Sequence, residues 1–298
     1  MTAEAGAEAA TDIPTVASPA QSVRVGVRFH RHGQGLKNAE TDLVSVEEPL
    51  EIRLGYRAGD EPVEQALSVT MRTPGNDFDL ALGFLLSEGV IKSGADVIGT
   101  ETCGPPSPDK GLYNTVKVTL ADRVNVDTES LTRYVYTSSS CGVCGKASLD
   151  AVHVQIPDGD RDVFRISADN LKALPAELRG KQTEFDRTGG LHASACFDAD
   201  GNIHRLREDV GRHNALDKLI GSYLAAGEPP LADRGVLLSG RASFELMQKA
   251  AMTSTAFVAA IGPPSSLAVE LAVAEGITLV GFLKAGTFNV YAGAERIA

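Results

Sequence analysis

The sequence predicts an α/β fold with a parallel sheet in its C-terminal third. Three observations carry that expectation. GVLLS, AFVAAIG and ITLVGFL are short apolar runs bounded by turn residues, as buried strands are. Between them, SFELMQKAAMT and SSLAVELAVAEG have helical length and spacing. Strand-helix-strand-helix-strand with right-handed crossovers gives parallel neighbours.

The rest of the chain yields shorter elements in order. Val23 to Phe29 alternates as a strand does, and LVSV and LEIRLGY supply further strands. A helix is expected from Asp77, capped by Asn76 or Asp77. Phe78, Leu82, Leu85 and Leu86 form its core-facing stripe, and Gly89 stops it. After a proline-rich loop at residues 104–108, TVKVTL is a strand, and KASLDAVHV behind the paired cysteines is expected to be helical. LHASACF and NIHRLR form a hairpin turning at Asp200-Gly201. Asp209 is expected to cap an amphipathic helix whose apolar face is Leu216, Leu219, Ile220, Tyr223 and Leu224, ending at Gly227.

At 298 residues the chain is long enough for two domains. The expected division is a tail at residues 1–20, an N-terminal α+β subdomain at 21–136 and a larger domain at 137–298. Residues 1–20 lack both the basic start and the apolar centre of an export signal. No apolar run is long enough to cross a bilayer. The expectation is a cytoplasmic protein without a membrane partner. A net charge of −11 argues against nucleic acid, whose phosphates need a basic surface. One phosphate-bearing ligand on a local cluster stays possible.

Ligands of parallel α/β sheets collect outside the carboxyl ends of the strands. Three connections must share that edge: Ser239 to Ser243, Gly262 to Ser266, and Lys284 to Thr287. They are small and hydroxyl-rich, two of them open helices, and Arg241 and Lys284 add positive charge. Free N–H groups at helix starts favour phosphate. Arg241, beside a helix start, is the better phosphate candidate; Arg212 can pair with phosphate or with Glu208, and His213 is expected to face core partners.

The four cysteines include one close pair in SSSCGVCGK, Cys141 and Cys144. Gly142 and Gly145 allow a sharply turned loop, and Lys146 beside a helix start would lower a thiol pKa. A structural zinc site, a dithiol redox couple, an inert pair and a persulfide-bearing thiol are all compatible with this spacing. Zinc deaminase chemistry is not: His192-Ala193-Ser194 lacks the glutamate of H-x-E, no proline precedes Cys141, and the order is reversed.

Taken together, SSSCGVCGK, TGGLHASACF, REDVGRHNALDKLIG, LLSGRASFELMQKAA, GPPSSLAVELA and ITLVGFLKAGTFNVYAG resemble the formate dehydrogenase accessory sulfurtransferases, the FdhD/NarQ family. The resemblance runs from about Asp77 to the C-terminus; the tail and first strands match little. It implies a cytidine deaminase-like three-layer domain with a mixed sheet, without zinc and with no intrinsic metal. It implies a sulfurtransferase required for formate dehydrogenase activity. Such a carrier takes sulfur from a cysteine desulfurase as a cysteine persulfide and passes it to the bis-molybdopterin guanine dinucleotide form of the molybdenum cofactor. That cofactor is then inserted into formate dehydrogenase. By the same resemblance Cys141 bears the persulfide, Cys144 is its partner, and Phe282, Leu283, Lys284, Ala285, Gly286 and Thr287 bind the cofactor. A homodimer is implied as well. The alternative is a cofactor chaperone whose thiols are structural only.

Overall fold

The computed structural model describes residues 23–32, 35–108, 111–126, 156–157, 164–228, 231 and 233–298. Cys141, Cys144, the helix expected behind them, the tail and the boundary at 136/137 lie outside these residues.

Two strands, β1 (Val23–His32) and β2 (Gly35–Ser45), pair as an antiparallel hairpin. A mixed four-stranded sheet follows, made of β3 (Glu48–Ala58), β4 (Glu61–Arg72), β5 (Val97–Thr102) and β6 (Thr115–Leu120), in the order β4-β3-β6-β5. Along β3 every second side chain, Leu50, Ile52, Leu54 and Tyr56, is buried, the period that one covered sheet face imposes. Helix α1 (Asp77–Ser87) connects β4 to β5.

The second sheet holds six strands in the order β12-β11-β10-β9-β7-β8. Its hairpin is β7 (His192–Phe197) and β8 (Ile203–Asp209), turning at Gly201 as the Asp-Gly pair requires. Preceding it are α2 (Ala168–Lys181) and the short α3 (Thr183–Thr188). After it come α4 (Arg212–Ala225), β9 (Gly235–Leu238), α5 (Phe244–Ala251), β10 (Phe257–Ala260), α6 (Ser266–Ala274), β11 (Thr278–Gly281) and β12 (Asn289–Ala292). Strands β9, β10 and β11 are parallel, while β7, β8 and β12 run antiparallel to their neighbours. The sheet is therefore mixed, with its parallel part where the apolar runs place it.

Successive residues of the central strands point into different cores. Val236, Leu238, Val258, Ala260 and Leu279 join a core that also contains Leu50, Ile52, Val116, Leu85 and the apolar face of α4. Leu237, Phe257, Ala259 and Val280 join a smaller one with Leu171, Leu174 and Leu178 of α2. The layers run four-stranded sheet, helices, six-stranded sheet, helix. One core thus crosses from the N-terminal sheet to the C-terminal one.

Several local expectations are corrected. Phe78 is 38% exposed, and Leu80 and Ala81 take its place in the buried face of α1. Asn76 stands at the N-cap in the left-handed region without a side-chain capping bond, and Asp77 is drawn into an ion pair with buried Arg72 at 2.9 Å. Asp209 does not cap α4; the N-cap is Gly211. The Asp209 carboxylate instead accepts from Gly211 N at 2.8 Å and Thr73 N at 3.0 Å, and pairs with Lys218 at 2.7 Å. A buried carboxylate needs that full set of partners, so it is committed to the junction of β4 and α4.

Candidate functional site

Parallel strands place the ends of β9, β10 and β11 on one edge, and antiparallel pairing brings the start of β7 and the end of β8 to the same edge. Five chain segments converge there. The three small-residue connections lie side by side through backbone bonds: Gly262 N donates to Gly240 O at 2.8 Å, Ser265 N to Ala242 O at 3.0 Å, and Phe282 N to Gly262 O at 3.0 Å. Contact is so close that a Cβ on Gly262 would fall 2.9 Å from the Gly240 carbonyl oxygen. Glycine at that point is a packing requirement.

Of the six residues the resemblance assigns to cofactor binding, five are exposed on this edge: Phe282, Lys284, Ala285, Gly286 and Thr287. Leu283 is fully buried in the smaller core, so only its backbone can meet a ligand. Lys284 N donates to Thr287 O at 2.9 Å, closing a tight turn. Phe282 adopts a φ of 51°, a left-handed conformation that costs a non-glycine residue about 1 kcal/mol. That turn holds its ring 41% exposed at the end of a buried strand. Arg241 is exposed at the start of the α5 connection.

Behind these loops lies a polar cluster. His213 Nε2 sits 2.8 Å from Glu245 Oε2, bringing together the first turns of α4 and α5. His213 therefore faces a carboxylate, against the expectation of core partners. Arg212 does not pair with Glu208, whose carboxylate accepts from Glu184 N at 3.0 Å and Phe185 N at 2.9 Å. Among the described residues Arg212 Nε, Ser243 Oγ and Glu245 Oε1 are buried without a hydrogen-bond partner. Ser243 is instructive beside Ser265. Both stand at N-caps with nearly the same backbone angles, yet Ser265 accepts from Ala268 N and Ser243 caps nothing. Its buried hydroxyl is left without a hydrogen-bond partner among the described residues at the start of α5, where a helix start favours an anion.

His192 opens β7 on this edge, and its H-x-S triplet is part of a strand. Burial, and then the nearby charges of Arg212, His213 and Arg241, hold its pKa below the usual imidazole value despite the opposing field of Asp209. It is uncharged at neutral pH. Cys196 is buried and hydrogen-bonded to the Tyr223 hydroxyl. Burial pushes its thiol pKa up, which suits an inert core thiol. Cys103 is half-buried and free. Among the described residues no group of three His, Cys, Asp or Glu side chains could hold a metal ion.

Sequence reasoning located the three loops, with Arg241 and Ser243 in the first of them, but missed His192 and Glu245 as members of the same edge. The one signal available was position: His192 opens the first strand of the hairpin, and Glu245 lies two residues beyond the first loop.

A family model described as FdhD/NarQ matches residues 45–298. The chain belongs to the FdhD/NarQ family. The match takes in β3 and β4, so family resemblance begins well before Asp77, and those strands are not particular to this protein. Similar curated proteins, each called sulfur carrier protein FdhD, come from several bacteria. That of Streptomyces coelicolor is 49% identical over 267 residues, covering 89% of this chain and 92% of its own. That of Mycobacterium tuberculosis is 49% identical over 279 residues, covering 91% and 96%. A crystal structure of a candidate formate dehydrogenase accessory protein from Desulfotalea psychrophila superposes with a TM-score of 0.67 at 21% identity, covering 93% of this chain and 99% of that one. At that identity the likeness speaks to the FdhD/NarQ fold alone.

Proposed function

We propose that this chain is a sulfur carrier for formate dehydrogenase, with Cys141 as the persulfide-bearing thiol. The observation that carries the reading is its 49% identity, over nine-tenths of both chains, to relatives named sulfur carrier proteins. The thiolate of Cys141 attacks the sulfane sulfur of a cysteine desulfurase persulfide; a new S–S bond forms and the desulfurase thiolate leaves. Cys144 then attacks the inner sulfur of the Cys141 persulfide. A Cys141–Cys144 disulfide forms, and the outer sulfur departs as sulfide carrying the electron pair. The acceptor substrate is the molybdenum bis-molybdopterin guanine dinucleotide cofactor, which would take the sulfide in exchange for an oxygen ligand that leaves as water. The disulfide is reopened by cytoplasmic thiols.

The strand-end edge supports this reading because it is suited to a large polyanion. Arg241, Lys284 and the helix starts of α4 and α5 supply positive potential in a chain of net charge −11. In the same reading the hairpin and the βα units after it form a cytidine deaminase-like domain, and two copies pair as a homodimer. No helix among the described residues is long and apolar enough to cross a membrane.

The test is intact-mass analysis after incubation with a cysteine desulfurase and cysteine. One added sulfur per chain is expected, lost when the cofactor is supplied and absent in Cys141→Ala. Unchanged labelling of that variant removes Cys141 from the mechanism. A double Cys141→Ala/Cys144→Ala variant that still activates formate dehydrogenase would favour a chaperone with structural thiols.

A further inference from the structure

We propose that, within the sulfur-carrier reading on which this step rests, His213 and Glu245 form a proton relay that serves sulfur transfer at the strand-end edge. Four buried polar atoms without a hydrogen bond among the described residues gather at the first turns of α4 and α5: Arg212 Nε, His213 Nε2, Ser243 Oγ and Glu245 Oε1. Native folds keep few such atoms, because each one destabilises the protein. A cluster of them holds polar groups ready for something other than one another.

The His213–Glu245 contact has the same character. Nε2 and Oε2 lie 2.8 Å apart, a hydrogen-bond length, yet without the alignment of a hydrogen bond. The two side chains are 13% and 15% exposed, so the pair is screened from bulk water without being sealed from it. An imidazole is a proton shuttle, and a carboxylate at its side supplies or collects the proton. The pair adjoins the edge: His213, Arg212 and Arg241 all act electrostatically on His192, which opens β7 there.

Sulfur transfer needs such a relay. When Cys144 attacks the persulfide, the outer sulfur is reduced to HS⁻ as the two thiols are oxidised to the disulfide. HS⁻ then replaces an oxide ligand of the cofactor with no change in the oxidation state of the metal. The oxide leaves as water, so its oxygen gains two protons: one arrives with HS⁻, and the other must come from an acid. His213 gives that proton and regains one from solvent through Glu245. The neighbouring charged groups are otherwise engaged. Guanidinium groups do not give up protons in proteins, which sets Arg212 and Arg241 aside. His192 is uncharged at neutral pH. At the end of β8, Asp209 is paired with Lys218, and Glu208 is held by backbone amides of α3. On α1, packed against α4, Asp77 and Asp79 are paired with Arg72 and Arg207, and Lys249 of α5 is paired with Asp217. Lys284 is exposed and belongs to the groups that meet phosphate.

The full chain is loaded with sulfur by a cysteine desulfurase, separated from it and mixed with the molybdenum bis-molybdopterin guanine dinucleotide cofactor. Sulfuration of the cofactor is timed by mass spectrometry at a series of pH values. A bell-shaped profile is expected, its rising limb set by the Cys144 thiolate and its falling limb by the relay. His213→Gln, loaded in the same way, should transfer sulfur slower by about tenfold or more and lose the falling limb while keeping the rising one. Should that variant not fold, the same two readings are taken on Glu245→Gln. A merely structural role would slow transfer at every pH and leave the shape of the profile intact. Slowing of less than about tenfold, or a falling limb that persists, overturns the relay. An unaltered chain that passes no sulfur sinks carrier and relay together, whereas one that does, with variants that match it, sinks the relay alone.

Discussion

Arg212 and His213 are neighbours in sequence at the start of α4, yet they meet different surroundings. His213 Nε2 lies 2.8 Å from Glu245 Oε2, whereas Arg212 faces His192 and lowers its pKa; both His213 Nε2 and Arg212 Nε are buried without a hydrogen bond among the described residues. The sign of the linkage for His192 is definite. Its folded pKa lies below the unfolded value, so its contribution to stability is whole above about pH 6.5 and declines as pH falls below that. An NMR titration should find the His192 ring protonating below the ordinary imidazole range. Arg212→Gln should move that midpoint upward; an unmoved midpoint would mean that Arg212 does not act on it. Neither residue's surroundings could be read from sequence, because Glu245 and His192 lie far along the chain and only the shared sheet edge gathers them.

Among the elements, the packing of α1 on α4 is the closest contact between helices. A Cβ on Gly83 would fall 1.8 Å from the Asp217 carbonyl oxygen, and one on Gly221 would fall 1.8 Å from that of Asp79. The two backbones touch through reciprocal glycines, which fixes where α4 begins relative to the end of β4 and hence where Arg212 emerges. Asn214 Nδ2 donates to Met71 O at 2.7 Å and Lys218 Nζ to Thr73 O at 2.7 Å, completing that junction. Gly221→Ala should destabilise the protein by about 2–3 kcal/mol, since no flexible side chain can yield to the added methyl group. Urea denaturation checks this, and a loss under about 0.5 kcal/mol would show that the helices can separate at little cost. The buried stripe of α4 was legible in sequence. Strand β4 and helices α2 and α3 were not read. Four of the seven residues from Glu61 to Leu67 are Glu, Pro, Glu and Gln, which mask the alternation of β4, and Pro175 interrupts the helical pattern of α2.

For the whole molecule, one buried ion network joins three helices across the middle layer. Lys249 of α5 lies 3.0 Å from Asp217 of α4, 3.0 Å from the Ser87 hydroxyl of α1 and 3.3 Å from Glu88. Burial pulls its pKa down, but the carboxylates of Asp217 and Glu88 outweigh that and leave it raised. Lys249→Met would strand Asp217 in the core and should cost about 3–5 kcal/mol. With a core and an ion network spanning both sheets, heat should unfold the described regions in a single transition. Calorimetric and van't Hoff enthalpies that disagree would mark independent domains instead. The sequence by itself determined the parallel order of the last three buried strands, the hairpin before them and the loops that must share their carboxyl edge. Those follow from local period and from the handedness of crossovers, which neighbouring residues settle. Only the tertiary structure decided that the N-terminal sheet shares a core with the C-terminal one and that His192, His213 and Glu245 meet. Such outcomes depend on contacts between residues distant in the chain, and no local pattern encodes which of them will be satisfied.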